Sequence, residues 1–254
     1  MAFFGGAGVL KAGVPQRMTF GLGDANGALL SSSPAQLEFS IADEHGNGVG
    51  PPVAVARHAQ GLPRAYYPVP LTAPGAGTYR VCTVVGGHRL DAAVQVDGPD
   101  AVAIPQAGDP MPAVETPTTA DRRGVDPICT RNPICPFHQV SLAQALAERR
   151  PTALLISTPA YCQVAICGPV LDVLLSQQSH FGPRVTMIHA EVYQSGKAAA
   201  ANIASAEVSD TVKAFKLPFE PSLILAGADG TIAQRLDTIF DEAEVGAALG
   251  MLAR

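Results

Sequence analysis

Read for the spacing of apolar and polar positions, the chain divides into two regions of different period. Between residues 13 and 97 lie short β-rich, partly alternating stretches: RMTFGLG (17–23), QLEFSIAD (36–43), VAVARHA (53–59), AYYPVPL (65–71), TYRVCTVV (78–85) and DAAVQVD (91–97). Gly, Pro, Asn and Asp separate them, as in DANG, EHGNG and APGAG. Regularly spaced strands with no helical period between them predict a β-sandwich. Residues 98–127 lose this pattern and are rich in Pro, Ala and Thr. With the cysteine-bearing stretch that follows, 98–138 reads as an extended, semi-rigid linker.

From 139 the pattern alternates helix and strand. VSLAQALAERR (140–150) predicts a helix capped by Ser141, and RVTMIHAEVY (184–193) a strand. SAEVSDTVKAFK (205–216) has the spacing of an amphipathic helix. Residues 221–239 predict a hairpin turning at Ala228-Asp229-Gly230, and DEAEVGAALGMLAR a closing helix with acidic residues in its first turn. The stretch Thr152–Asp172 organises this half. Ala153, Leu154, Leu155 and Ile156 form a short apolar run between turn residues, which suits a strand buried on both faces. A loop with Cys162 and Cys167 follows. Pro169 fits the first helical position, and Val170, Leu171, Leu174 and Leu175 continue with helical spacing.

Composition narrows the function. The chain has 254 residues, 47% hydrophobic and 15% charged, with net charge −5 and no Trp. This is globular, with room for two domains. No basic cluster exists for a nucleic-acid backbone, and no apolar run approaches a transmembrane length. The start, MAFFGGAGVLKAG, is too short and too poorly charged for a signal peptide. The five cysteines fall as two close pairs, Cys129/Cys135 and Cys162/Cys167, with Cys82 alone. Paired spacing points to redox use or an oxidising, extracytoplasmic compartment.

Cysteines at a strand end beside a helix N-terminus sit where backbone N–H groups and the helix dipole favour a thiolate. Tyr161-Cys162 and Cys167-Gly168-Pro169 resemble parts of the aromatic-Cys-Gly-Pro-Cys site of the thioredoxin superfamily. The pair here is C-x4-C, with Val170 at the place of that site's second cysteine. The element order from 140 to 254 is also similar to that fold. The resemblance implies a cis-proline before the third strand, at Pro221, facing the active cysteines. In many thioredoxins a buried acid assists proton transfer; the matching strand here, ALLIS, is uncharged. Pro74-Gly75-Ala76-Gly77-Thr78-Tyr79 resembles a step of immunoglobulin-like bacterial domains, whose tyrosine makes a corner hydrogen bond. As a whole the chain resembles exported thioredoxin-domain proteins of actinobacteria.

The expectation is thus two domains: an all-β immunoglobulin-like sandwich (13–97), the linker (98–138), and an α/β thioredoxin-like domain (139–254). The function the resemblance implies is thiol–disulfide exchange with a protein thiol, disulfide or redox partner, needing no cofactor. Cys162 and Cys167 would be the reacting pair, with Tyr161 and Pro221 beside them. Either cysteine can be aligned as the attacking thiol; the length of the strand-to-cysteine loop favours Cys162. Two alternatives stand: a non-enzymatic binding module with structural disulfides, and copper handling with His189 as third ligand. The last resembles the Sco-type C-x3-C proteins with their distant histidine. Peroxidase activity is disfavoured, because Pro159 and Val164 stand where a peroxiredoxin carries Thr. Cys129 and Cys135 could close a disulfide, bind a metal with His138, or relay electrons. The disulfide is favoured and no metal is assigned, since zinc needs four ligands and no second half-site is apparent. His45, His58 and His88 are isolated, and Cys82 reads as an inert core thiol.

Overall fold

The computed structural model describes residues 1–24, 26–30 and 32–254. The chain divides into two compact units, Met1–Ile104 and Pro105–Arg254. Its architecture is mixed, with three sheets and a few helices. Among the described residues no helix is long and apolar enough to cross a membrane.

Unit 1 contains β1 (Ala2–Phe3), β2 (Gln16–Gly21), β3 (Gln36–Ala42), β4 (Val53–Ala56), β5 (Tyr67–Leu71), β6 (Gly77–Val85) and β7 (His88–Val96). They form two antiparallel sheets, of order β1-β2-β5 and β4-β3-β6-β7. Strand β3 shows why. Leu37, Phe39 and Ile41 are buried while Gln36, Glu38 and Ser40 face solvent. The period of two sends alternate side chains to opposite faces. Both sheets contribute to one core, in which Met18, Phe20, Tyr67 and Val69 meet Phe39, Val81 and Val96. The rings of Phe20 and Phe39 lie 6.1 Å apart, and those of Phe39 and Tyr67 5.7 Å. Each such ring, fully buried, is worth about 1.5–3 kcal/mol. The Tyr79 hydroxyl donates to Gly75 O at 2.8 Å, pinning the turn that enters β6.

Unit 2 contains α1 (Leu142–Ala147), β8 (Thr152–Ile156), α2 (Cys167–Ser176), α3 (Gln178–Phe181), β9 (Thr186–Ala190), α4 (Gly196–Ala201), α5 (Asp210–Phe215), β10 (Ser222–Ala226), β11 (Ile232–Asp237) and α6 (Glu242–Leu252). The sheet order is β11-β10-β8-β9. Strands β8 and β9 are parallel, and β10 runs antiparallel to both β8 and β11. Every residue of β8, β9 and β10 is buried, as continuous apolar strands covered on both faces require.

Several local expectations shift. Helix α2 begins at Cys167, so Pro169 is its third residue and not its first. The fit survives because the N–H groups of the whole first turn lack intrahelical partners. Helix α5 is shorter than 205–216 and starts after Ser209. The 98–138 segment divides at Ile104, and its larger part lies along unit 2. Residues 105–138 contain no regular element, yet their backbone is extensively bonded. Gly108 N–H donates to Ile232 O, Ile232 N–H to Asp109 O, and Met111 N–H to Gly230 O. Further on, Asp126 N–H donates to Gln194 O, and Phe137 O accepts from His189 N–H. Buried Met111, Val125, Ile128 and Phe137 hold the segment by apolar contact. Its many prolines prevent a regular ladder without preventing docking.

Candidate functional site

Strand β8 delivers the chain to a turn at the C-terminal end of the sheet. The turn runs through Tyr161 and Cys162 and enters α2 at Cys167. Ala165, at φ 54°, takes the left-handed conformation that lets the chain fold back, with its N–H on Cys162 O. That conformation is uncommon for a residue with a Cβ. The fold-back brings the two thiols together. Cys162 is half-buried and Cys167 fully buried, and neither is in a disulfide. The Cys162 Sγ accepts Cys167 N–H at 3.3 Å.

The two sulfurs are electrostatically unequal. A hydrogen bond from the Cys167 thiol, with backbone N–H groups of Ile166, Cys167 and Val164, pulls the Cys162 thiol down from 9.0 to about 5, against the opposing effect of burial. The same hydrogen bond, burial and the Cys162 charge push Cys167 far up. Cys162 is therefore a partly exposed thiolate and Cys167 a buried thiol held against it.

Three further groups surround the pair. Glu220 precedes Pro221 across a cis peptide bond at the start of β10. Burial raises its carboxyl above 4.5, and the Cys162 thiolate raises it further. Burial raises the buried Tyr193 phenol too, with the Glu220 charge and the two cysteines adding to the effect. Tyr161 packs against α4. A Cβ on Gly196 would stand 3.2 Å from the Tyr161 hydroxyl and 2.8 Å from Pro127 Cδ, so only glycine allows this approach. The sequence reading named Tyr161 and Pro221 but not Glu220 or Tyr193. It sought an acid on β8, and the structure has one on the chain before β10. The adjacency of Glu220 to Pro221 was the available signal.

The second cysteine pair is built differently. Cys129 and Cys135 are buried and free, not bridged to each other. They converge with His138 and His189, also fully buried, and one ligand atom from each of the four lies within 4.8 Å of all the others. Cys135 Sγ is 3.2 Å from His138 Nε2 and 3.5 Å from His189 Nδ1. The histidine rings meet edge to face at 5.2 Å. The other nitrogen of His189, Nε2, faces Ser157 Oγ at 3.0 Å and Ser157 O at 3.2 Å. Burial works against protonating His189, but its contact with Cys129 and the nearby Glu191 raise it above 6.5 on balance.

His189 thus joins the 129–138 segment, not the Cys162/Cys167 loop where the copper reading had put it. It lies 54 positions beyond Cys135 on a separate strand, which hides the grouping from any local motif. The remaining thiol, Cys82, is buried in β6 and accepts Arg89 Nη2–H at 2.8 Å. No protein-family model matches the chain, and no curated protein matches it.

Proposed function

We propose that the protein is a thiol–disulfide oxidoreductase in which Cys162 attacks and Cys167 resolves. One observation carries this reading: a half-exposed Cys162 with a strongly depressed pKa, hydrogen-bonded to a buried partner thiol at a helix N-terminus. A thiolate at neutral pH with solvent access is the nucleophile of exchange, and a second thiol within reach completes the cycle.

The Cys162 thiolate attacks one sulfur of a partner disulfide, forming a mixed disulfide and releasing the partner's other sulfur as thiolate. Cys167, after losing its proton, attacks Cys162 Sγ and releases the partner's second thiolate. The partner is reduced and Cys162–Cys167 is oxidised; the reverse sequence oxidises a partner dithiol. This reading assigns the uptake of the Cys167 proton to Glu220, which is half-buried, has a raised pKa and is felt electrostatically by Cys167. The strand order of unit 2, the position of Pro221 and the Cys-Gly-Pro run support a thioredoxin-like domain. Two antiparallel sheets sharing a core, with the Tyr79 corner, support an immunoglobulin-like unit 1. An extracytoplasmic protein partner fits such a pair, since cysteine pairs of this kind work where disulfides persist.

The deciding experiment is the reduction potential of Cys162–Cys167, from thiol mapping by mass in glutathione or dithiothreitol buffers. The expected value lies between about −120 and −270 mV, the range of exchange catalysts. A value below about −300 mV, that of structural bridges, would reduce the pair to a staple.

A further inference from the structure

We propose that Cys129, Cys135, His138 and His189 form a closed tetrahedral zinc site. The donor set is two sulfurs and two imidazole nitrogens with no carboxylate. Thiolate with imidazole in fourfold coordination selects zinc, while calcium and magnesium require oxygen ligands. The geometry agrees. With Zn–S near 2.3 Å and Zn–N near 2.0–2.1 Å, a tetrahedral S···N edge is about 3.5 Å. The two S···N separations to Cys135 are 3.2 and 3.5 Å. All four ligand atoms lie within 4.8 Å of one another, close enough to converge on one ion. On binding, any thiol still protonated gives its proton to solvent, and no electron transfer is involved.

The surroundings fit a metal better than they fit the other uses of such a cluster. Ser157 Oγ and O both face His189 Nε2; the carbonyl requires a proton on Nε2, which leaves the Nδ1 lone pair for the metal. Phe137 N–H points at Cys135 Sγ, as backbone donors do around a metal-bound sulfur. A nucleophilic Cys–His pair needs access for a substrate, yet Cys129 is the most exposed of the four at 6%. A Cys129–Cys135 disulfide would consume both sulfurs and leave two buried imidazoles beside it without a ligand role. His138 Nδ1 already has no hydrogen-bond partner. With all four positions filled by protein, no place remains for a bound water, so the site holds structure and does no chemistry. It fastens residues 129–138 to β9. It also reaches the exchange loop through Thr130, whose Oγ1 accepts Ala160 N–H at 3.1 Å.

The test uses the full chain, purified under reducing conditions, equilibrated with zinc and desalted. About one zinc per chain is expected by elemental analysis. Cobalt(II) in its place should give the intense visible bands and thiolate charge transfer of a tetrahedral centre with two sulfur and two nitrogen ligands. His189→Ala should lose the metal. His138→Cys should keep it and shift the cobalt spectrum towards that of three sulfurs and one nitrogen, a change that loss of folding does not mimic. A Cys162→Ser/Cys167→Ser double variant should retain full zinc. The proposal is overturned by substoichiometric zinc in the reduced wild type or by an unshifted spectrum in His138→Cys. It is equally overturned if the double variant loses zinc, which would put the metal on the exchange pair. The double variant keeps this test separate from failure of the exchange reading.

Discussion

Two cysteine pairs in one unit share an electrostatic pattern and differ in everything that turns it into chemistry. In both, the first cysteine is pushed towards thiolate chiefly by its partner's hydrogen bond, and the second is pushed up. Cys162 sits at a turn with solvent on one side and a helix N-terminus on the other. Cys129 is sealed in with two imidazoles. A thiolate open to solvent can attack an incoming disulfide; a thiolate enclosed with histidines can only be neutralised by what is enclosed with it. Access and neighbours, more than pKa, separate the two roles.

The sharpest way to break this comparison is at the sulfurs of the loop. Cys162→Ser should bring disulfide reduction down to background. Cys167→Ser should let Cys162 attack but trap the mixed disulfide, visible by mass under non-reducing conditions. Full turnover in the second variant would erase the division of roles. A smaller effect is expected at the buried cluster. His189→Ala removes an enclosed imidazole and its contacts with Ser157, costing about 3 kcal/mol in denaturant melts. The alkylation rate of Cys162 should change little, and a parallel fall would mean that the two centres are one.

A pH profile sharpens the loop half. The folded thiol lies at about 5 against an ordinary 9.0. The reduced protein therefore gains stability from this group that is fully present above pH 9, and loses it as pH falls through 5. Alkylation of Cys162 should be flat at neutral pH and fall about tenfold per unit below pH 5. In Glu220→Gln the midpoint should move down, because a carboxylate that opposes the thiolate is gone. Release of the mixed disulfide should slow by about tenfold, because the proton acceptor is gone as well. A purely structural Glu220 would move neither in that opposed way. The smallest effect belongs to Ala165→Gly, which relieves the left-handed φ but loosens the unfolded chain. The net gain should be under about 1 kcal/mol with alkylation unchanged, measured by thermal melts.

How far the sequence carried varies with the distance over which the information is local. The alternation in QLEFSIA and the apolar run TALLI each name their element, because one strand's burial is written in consecutive residues. Helix α4 went unseen. GKAAAA has no apolar stripe, and its clearest mark is Ser195, whose hydroxyl caps Ala198 N–H. The Cys162/Cys167 site was legible because both thiols lie in one turn. Glu220, Tyr193 and the partnership of His189 with Cys135 were not, since they arrive from other segments through the sheet. Three of the four buried ligands did stand together as C-x5-C-x2-H, and the missing one is the residue that folding supplies.

The backbone contacts of residues 105–138 have a consequence for solubility. In a sheet of order β11-β10-β8-β9 the open edges are β11 and β9. The first is occupied by Gly108 and Asp109 against Ile232, and the second by Phe137 against His189. One stretch of chain thus blocks both edges from pairing with a second molecule. A protein begun at residue 139, where the helix–strand pattern starts, would keep β8 to β11 with Cys162 and Cys167 and yet bare both edges of that sheet. That shortened protein is expected to self-associate through those edges, which light scattering beside the full chain would show.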